Sequence, residues 1–174
     1  MYPRNLSQLA LLTVPLLAYV SSIALGMPQD REQPIQLEAD RAELDQKTGV
    51  SVYQGNVVIT QGSMRLAADK ATVFTDNGVF QRIEAMGQPV TWRYKPADDK
   101  DELFGTSQRM EYDASKNTII MTKSAKVIQN KDVFTGDRID YDLTADLVKA
   151  RGEDGRRIQI TIQPRQLNVQ QPEQ

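Results

Sequence analysis

A seven-residue pattern recurs four times along this chain and constrains its architecture more than any other feature. Ala39-Asp40-Arg41-Ala42-Glu43-Leu44-Asp45 returns as Ala68-Asp69-Lys70-Ala71-Thr72-Val73-Phe74. It returns again as Ser107-Gln108-Arg109-Met110-Glu111-Tyr112-Asp113 and as Gly136-Asp137-Arg138-Ile139-Asp140-Tyr141-Asp142. The shared order is small, Asp or Gln, basic, apolar, variable, apolar. The copies are separated by 29, 39 and 29 residues, so the chain reads as two halves offset by 68. The halves align without gaps from Leu44-Asp45 on Tyr112-Asp113 to Asp69-Lys70 on Asp137-Arg138. With a shift of three residues, Ile83 to Gly87 also matches Val148 to Gly152. Repeats at this spacing are usually stacked supersecondary units that share one continuous core.

Between the repeats the pattern is alternation broken by turn residues. Lys47-Thr48-Gly49, Gln54-Gly55-Asn56, Gln61-Gly62-Ser63, Asp76-Asn77-Gly78 and Lys116-Asn117 supply the turn chemistry. Candidate strands are 35–38, 40–45, 50–54, 56–61, 63–68, 70–75, 79–86, 89–94, 103–105, 107–113, 118–122, 124–129, 132–135, 137–142, 146–151 and 157–163. About 16 short strands at this spacing predict an all-β antiparallel fold. Lys95 to Glu102 is the longest loop and divides the halves.

The first 26 residues differ in kind. Arg4 precedes an apolar run from Leu9 to Val20, and small residues follow to Gly26. That order predicts a cleaved secretory signal peptide over 1–26. The run is shorter than the roughly 20 residues that span a bilayer. An uncleaved anchor is the alternative. Past Gly26 the chain holds 7 Leu but 32 β-branched residues, which suit strands. Its net charge is −3. The predicted β domain covers 27–163, and 164–174 read as a loose, glutamine-rich tail.

The chain has no Cys and no His. This excludes disulfides, thiolate zinc sites, histidine-ligated metals and Ser-His-Asp triads. Mild acidity argues against nucleic-acid binding. The acidic cluster Asp98-Asp99-Lys100-Asp101-Glu102 lacks the glycine and closing glutamate of a calcium loop. Arg156-Arg157 reads as an exposed basic pair, and no carboxylate pair is singled out by spacing.

Alternate positions of a strand share one face. Leu37, Val57, Ile59, Leu66, Met110, Tyr112, Ile139 and Tyr141 therefore define an apolar face, with Gln36, Asn56, Arg65, Glu111 and Asp140 opposite. After the signal there are only one Trp, four Phe and four Tyr to fill it.

With these residues in place, the chain resembles the OstA-like family of periplasmic lipopolysaccharide transport proteins. Ile35-Gln36-Leu37-Glu38-Ala39-Asp40 looks like the family's opening strand, and Gly55-Asn56-Val57-Val58-Ile59-Thr60-Gln61-Gly62 like its G-N-V-x-[IV]-x-Q-G core. Leu66-Ala67-Ala68-Asp69-Lys70-Ala71 and Gly136-Asp137-Arg138-Ile139-Asp140-Tyr141 match further strands. Gly87-Gln88-Pro89-Val90-Thr91-Trp92 resembles a G-x-P-A-T-F motif, departing at Val90 and Trp92. The resemblance spans about 30–163.

It implies a single elongated β-jelly roll shaped as a half-open clamp, whose apolar groove holds the lipid A acyl chains of lipopolysaccharide. It implies no enzymatic activity, no cofactor and no metal. The implied partners are an inner-membrane-anchored transport protein and an outer-membrane translocon with related β-modules. Head-to-tail homo-oligomers complete the bridge, located in the periplasm of a Gram-negative bacterium. The first strand, near Ile35–Glu38, and a terminal strand near Arg157–Gln163 are the expected joints. For the groove, the matched motifs point to Ile35, Leu37 and Trp92. Alternation adds Leu44, Tyr53, Val57, Ile59, Leu66, Val73, Met110, Tyr112, Phe134, Ile139 and Tyr141. Two other readings stand beside this one: a structural β-adaptor that joins envelope proteins without lipid, and a small carbohydrate-active enzyme using two carboxylates.

Overall fold

The computed structural model describes residues 33–97, 100–153 and 155–164. The predicted signal peptide, and the predicted tail beyond Pro164, lie outside them, as do Asp98 and Asp99. The described residues form ten strands and no helix. The strands are β1 (Gln36–Glu38), β2 (Arg41–Asp45), β3 (Val50–Gln61), β4 (Met64–Asp76) and β5 (Val79–Tyr94). They continue as β6 (Leu103–Asp113), β7 (Thr118–Gln129), β8 (Asp132–Asp142), β9 (Leu147–Arg151) and β10 (Gln159–Thr161). All pair antiparallel in one open sheet, in the order β1-β3-β4-β5-β6-β7-β8-β10, with β2 also on β3 and β9 also on β8.

The count of about 16 becomes ten for one reason. Six long strands run through a register shift at a point where the alternation pattern predicts one strand ending and another beginning. The shifts fall at Gly55-Asn56 in β3, Asp69 in β4, Gly87-Gln88-Pro89 in β5, Gln108 in β6, Lys123-Ser124 in β7 and Asp137 in β8. Gln54-Gly55-Asn56 is thus a bulge inside a strand, not a turn between two. Bulges bend a strand and raise its twist. Aligned across six strands, they crease the whole sheet along one line.

The repeat marks that crease. Its second position supplies Asp40, Asp69, Gln108 and Asp137. Asp40 Oδ2 accepts from Asn56 Nδ2 at 3.0 Å, and Asp69 Oδ2 from the Gln88 N–H at 3.1 Å. Asp137 Oδ2 accepts from the Glu153 N–H at 2.8 Å. The Asp69 carboxylate thus satisfies a backbone N–H at the β5 bulge, while Asp40 holds the Asn56 side chain at the β3 bulge and Asp137 holds the chain just after β9. Gly55 sits at φ +78°, and a Cβ there would stand 2.2 Å from Asp40 Oδ2. The repeat's last position closes turns in the same way. Asp45, Asp113 and Asp142 each accept from two backbone N–H groups, two and three residues on.

The crease divides the sheet into two arms. The first arm holds β1, β10 and residues 57–61, 64–68, 90–94, 103–107, 125–129 and 132–136. The second holds β2, β9 and residues 50–54, 70–76, 79–86, 109–113, 118–122 and 138–142. The core lies between them. The Trp92 and Tyr141 rings, one from each arm, meet at 5.7 Å. Gly105 of the first arm lets Met121 of the second approach, since a Cβ there would stand 2.8 Å from the Met121 Sδ. The product is a single elongated β-jelly roll, a clamp creased along one side. Its hairpin turns line the other side.

Candidate functional site

Cross-strand register builds the interior residue by residue. On the first arm one row runs Leu37, Ile59, Leu66, Trp92, Gly105, Val127, Phe134, Ile160, from edge to edge of the sheet. On the second arm a facing row runs Leu44, Ser51, Val73, Ile83, Tyr112, Ile119, Tyr141, Val148. Beside it lies Ala42, Tyr53, Ala71, Ala85, Met110, Met121, Ile139, Ala150. The outward rows carry the charged side chains, which pair across strands. Glu84 takes Arg82 and Arg109, each at 3.1 Å, and Asp140 takes Arg138 and Arg151. Charged outward rows and branched inward rows fix which face is closed.

The structure brings eight of the sequence-selected residues into one core: Val57, Ile59, Leu66, Trp92, Met110, Tyr112, Ile139 and Tyr141. Leu37, Tyr53, Val73 and Phe134 are half-buried against it. Ile35 and Leu44 stand apart, exposed at the sheet edge. Leu44 belongs to an inward row yet is 61% exposed. Among the described residues nothing covers the inner face there. At the opposite edge the same is true of Ile158, Ile160 and Ile162, at 40%, 48% and 71%. Among the described residues the interior is therefore packed at its middle and uncovered at both ends.

Alternation does not single out Ile83, Val90, Leu103, Ile119, Met121 and Val127, all of them buried. In β7 the run Thr118-Ile119-Ile120-Met121 has apolar residues on both faces, so alternation is masked. Gly105 escapes alternation because its role lies in the side chain it lacks.

The middle of the interior is aromatic. Trp92 and Tyr141 are fully buried, and Trp92 also stacks on Tyr94 at 6.0 Å. The Trp92 Nε1–H makes no hydrogen bond. A buried donor left unmade costs roughly 1–3 kcal/mol, and an oxygen brought by a ligand would satisfy it. The Tyr141 hydroxyl donates to Asp146 Oδ1 at 2.6 Å, and Lys100 Nζ donates to Asp146 Oδ2 at 2.9 Å. Burial, then the bond to Asp146, pushes the phenol well above its usual range. The Tyr141 and Lys100 bonds hold the Asp146 carboxyl below its own.

Among the described residues there is no group of three or more acids that could hold a metal. Concavities of about 550 and 600 Å³ lie on the outward side, lined by residues such as Arg109, Arg138, Asp140 and Lys149. The feature that sets this molecule apart is a closed apolar seam with two open ends.

Comparison with known proteins gives a consistent picture. A family model described as LptA/(LptD N-terminal domain) LPS transport protein matches residues 36–147. The lipopolysaccharide export system protein LptH of Pseudomonas aeruginosa is 40% identical, over 88% of this chain and 95% of the relative. The export system protein LptA of Escherichia coli K12 is 29% identical, over 95% of this chain and 90% of the relative. A crystal structure of P. aeruginosa LptH, titled the LptA homologous periplasmic component of the lipopolysaccharide transport device, superposes with a TM-score of 0.74. It is 39% identical and covers 79% of this chain and all of that one.

Proposed function

Because the chain belongs to the LptA/LptD N-terminal-domain family of LPS transport proteins, we propose that it carries lipopolysaccharide through the periplasm. The acyl chains lie between the two arms, and sugars and phosphates stay in solvent. The observation that carries this reading is the edge-to-edge apolar row from Leu37 to Ile160, with inward-facing residues exposed at both sheet edges, Leu44 at one and Ile160 at the other. A buried methylene gains about 0.8 kcal/mol, so a lipid with several chains does not cross water without such cover. Branched aliphatics suffice because acyl tails offer no hydrogen bonds to satisfy.

The chain works as one module of a bridge. β1 and β2 at one edge, and β9 and β10 at the other, are short, and among the described residues each pairs on one side only. Copies of the chain join head to tail through these edges, which extends the interior from one protomer to the next and builds an open filament. Related modules of an inner-membrane-anchored partner and an outer-membrane translocon cap its ends. Residues 1–26 direct its export as a signal peptide that is then cleaved. The protein makes and breaks no bond.

Lipid co-purification tests the reading. Leu37→Asp and Phe134→Asp change half-buried positions of the inner row. They should lower recovered lipopolysaccharide about tenfold with the β-sheet circular dichroism retained. Unchanged recovery would favour a β-adaptor that binds no lipid.

A further inference from the structure

The turns along the open side of the clamp hold one another mostly within an arm. Thr75 Oγ1 donates to the Gly49 carbonyl at 3.1 Å, and Asn117 Nδ2 to Thr144 Oγ1 at 2.9 Å, both in the second arm. In the first arm Ser63 Oγ donates to the Lys95 carbonyl at 3.0 Å. Such bonds stiffen each arm along its length.

The bond from Lys100 to Asp146 runs the other way. Lys100 lies in the β5–β6 loop, which belongs to the first arm. Asp146 lies in the β8–β9 turn of the second arm. Their 2.9 Å contact spans the open side and joins residues 46 positions apart. The second oxygen of the same carboxylate holds the Tyr141 hydroxyl, and the Tyr141 ring lies against Trp92 of the first arm. One carboxylate thus joins a surface ion pair to the aromatic contact at the centre of the interior. Asp146 occupies the left-handed region at φ 50°, where Asp is among the few tolerated side chains.

We propose that Lys100, Asp146 and Tyr141 form a clasp across the open side, and that its release admits the acyl chains of an anionic lipid sideways between the arms beside Trp92. The proposal rests on the lipid-carrier reading above and adds the route of entry. The side chains of Lys100 and Asp146 are 52% and 31% exposed. Exposed ion pairs are weak and salt-screened, so this one is readily undone. The interior it guards is strongly apolar. Once Asp146 is released, the Lys100 ammonium stands on the rim where the lipid's anionic head group comes to rest, and it exchanges one anion for another.

The test uses the natural absence of cysteine. In the full-length chain, Lys100→Cys with Asp146→Cys is closed by a short cleavable bis-thiol crosslinker. Capture of purified lipopolysaccharide is timed before closure, after closure and after cleavage. Closure should slow capture at least tenfold, and cleavage should restore it. Asp146→Asn, which keeps an acceptor for Tyr141 and removes the charge, should speed capture about two- to fivefold. Equal rates for the closed and open double variant would overturn the clasp and place entry at the sheet ends, with the carrier reading intact. No capture by the unmodified chain would overturn both.

Discussion

The rings of Trp92 and Tyr141 meet at 5.7 Å from opposite arms of one creased sheet, and both are fully buried. They come from β5 and β8, yet the crease brings them into contact, tilted 53° to one another. Offset and tilted aromatic pairs add about 0.5–1.5 kcal/mol beyond their burial. This contact sets the middle of the interior apart from its open ends. Tyr141→Phe keeps the ring and removes the bond to Asp146. It should cost about 1 kcal/mol in urea unfolding. Tyr141→Ala should cost about 3–5 kcal/mol, because it leaves a cavity against Trp92.

The crease itself depends on Gly55. A Cβ there would meet Asp40 Oδ2 at 2.2 Å, at a φ that L side chains avoid. Gly55→Ala should destabilise the protein by about 1–3 kcal/mol. Asp40→Ala in the same chain should recover part of that loss by removing the clash. A double-mutant cycle in urea reads the coupling, and additive losses would argue against the contact.

Gly105 plays a different part, since its φ lies outside the left-handed region. A Cβ would crowd the Met121 Sδ at 2.8 Å and the Trp92 ring at 3.0 Å. Gly105→Val should force the arms apart and cost about 1–3 kcal/mol. Intrinsic Trp92 fluorescence should shift red as water reaches the ring.

These positions show how far the chain could be read unaided. The repeated Asp, the alternation and the motif matches led to an antiparallel clamp and to eight core residues. They did not show that Asp40, Asp69 and Asp137 mark a crease, because a Gly-Asn pair reads equally as a turn or a bulge. Which face Leu44 takes is local and was legible. Whether anything covers that face depends on where the sheet ends, which no local pattern contains. Ile119 and Met121 were hidden by Ile120, an apolar residue on the outward face of the same strand.

Acid should weaken the turns first. Lys116 and Ser115 hold the Asp113 carboxyl well below the usual carboxylate range. The bonds from Lys47 and Thr48 lower Asp45 in the same sense. A depressed folded pKa gives stability that is complete above the unfolded value, about 3.9, and is lost as pH falls toward the folded one. The thermal midpoint should therefore fall steadily below about pH 4. Asp113→Asn should lower the midpoint at pH 7 and flatten the acid limb. An unchanged acid limb would assign the loss to other carboxylates.

Exposed inner-row residues at the sheet ends should matter for association and not for folding. Leu44→Asp and Ile160→Asp should change stability by no more than about 0.5 kcal/mol. They should shift sedimentation toward the single protomer. Cysteines at Ile35 and Ile160 should join two protomers when oxidised, and failure to do so would argue against edge-to-edge assembly.

The central claim is that lipid lies on the inward face. Photoreactive residues at Leu37 and Phe134, which point inward, are compared in intact cells with the same residue at Gln36 and Arg93, which point outward. The account expects lipopolysaccharide adducts from the first pair and none from the second. Equal capture from both faces, or capture from Gln36 and Arg93 alone, would contradict it.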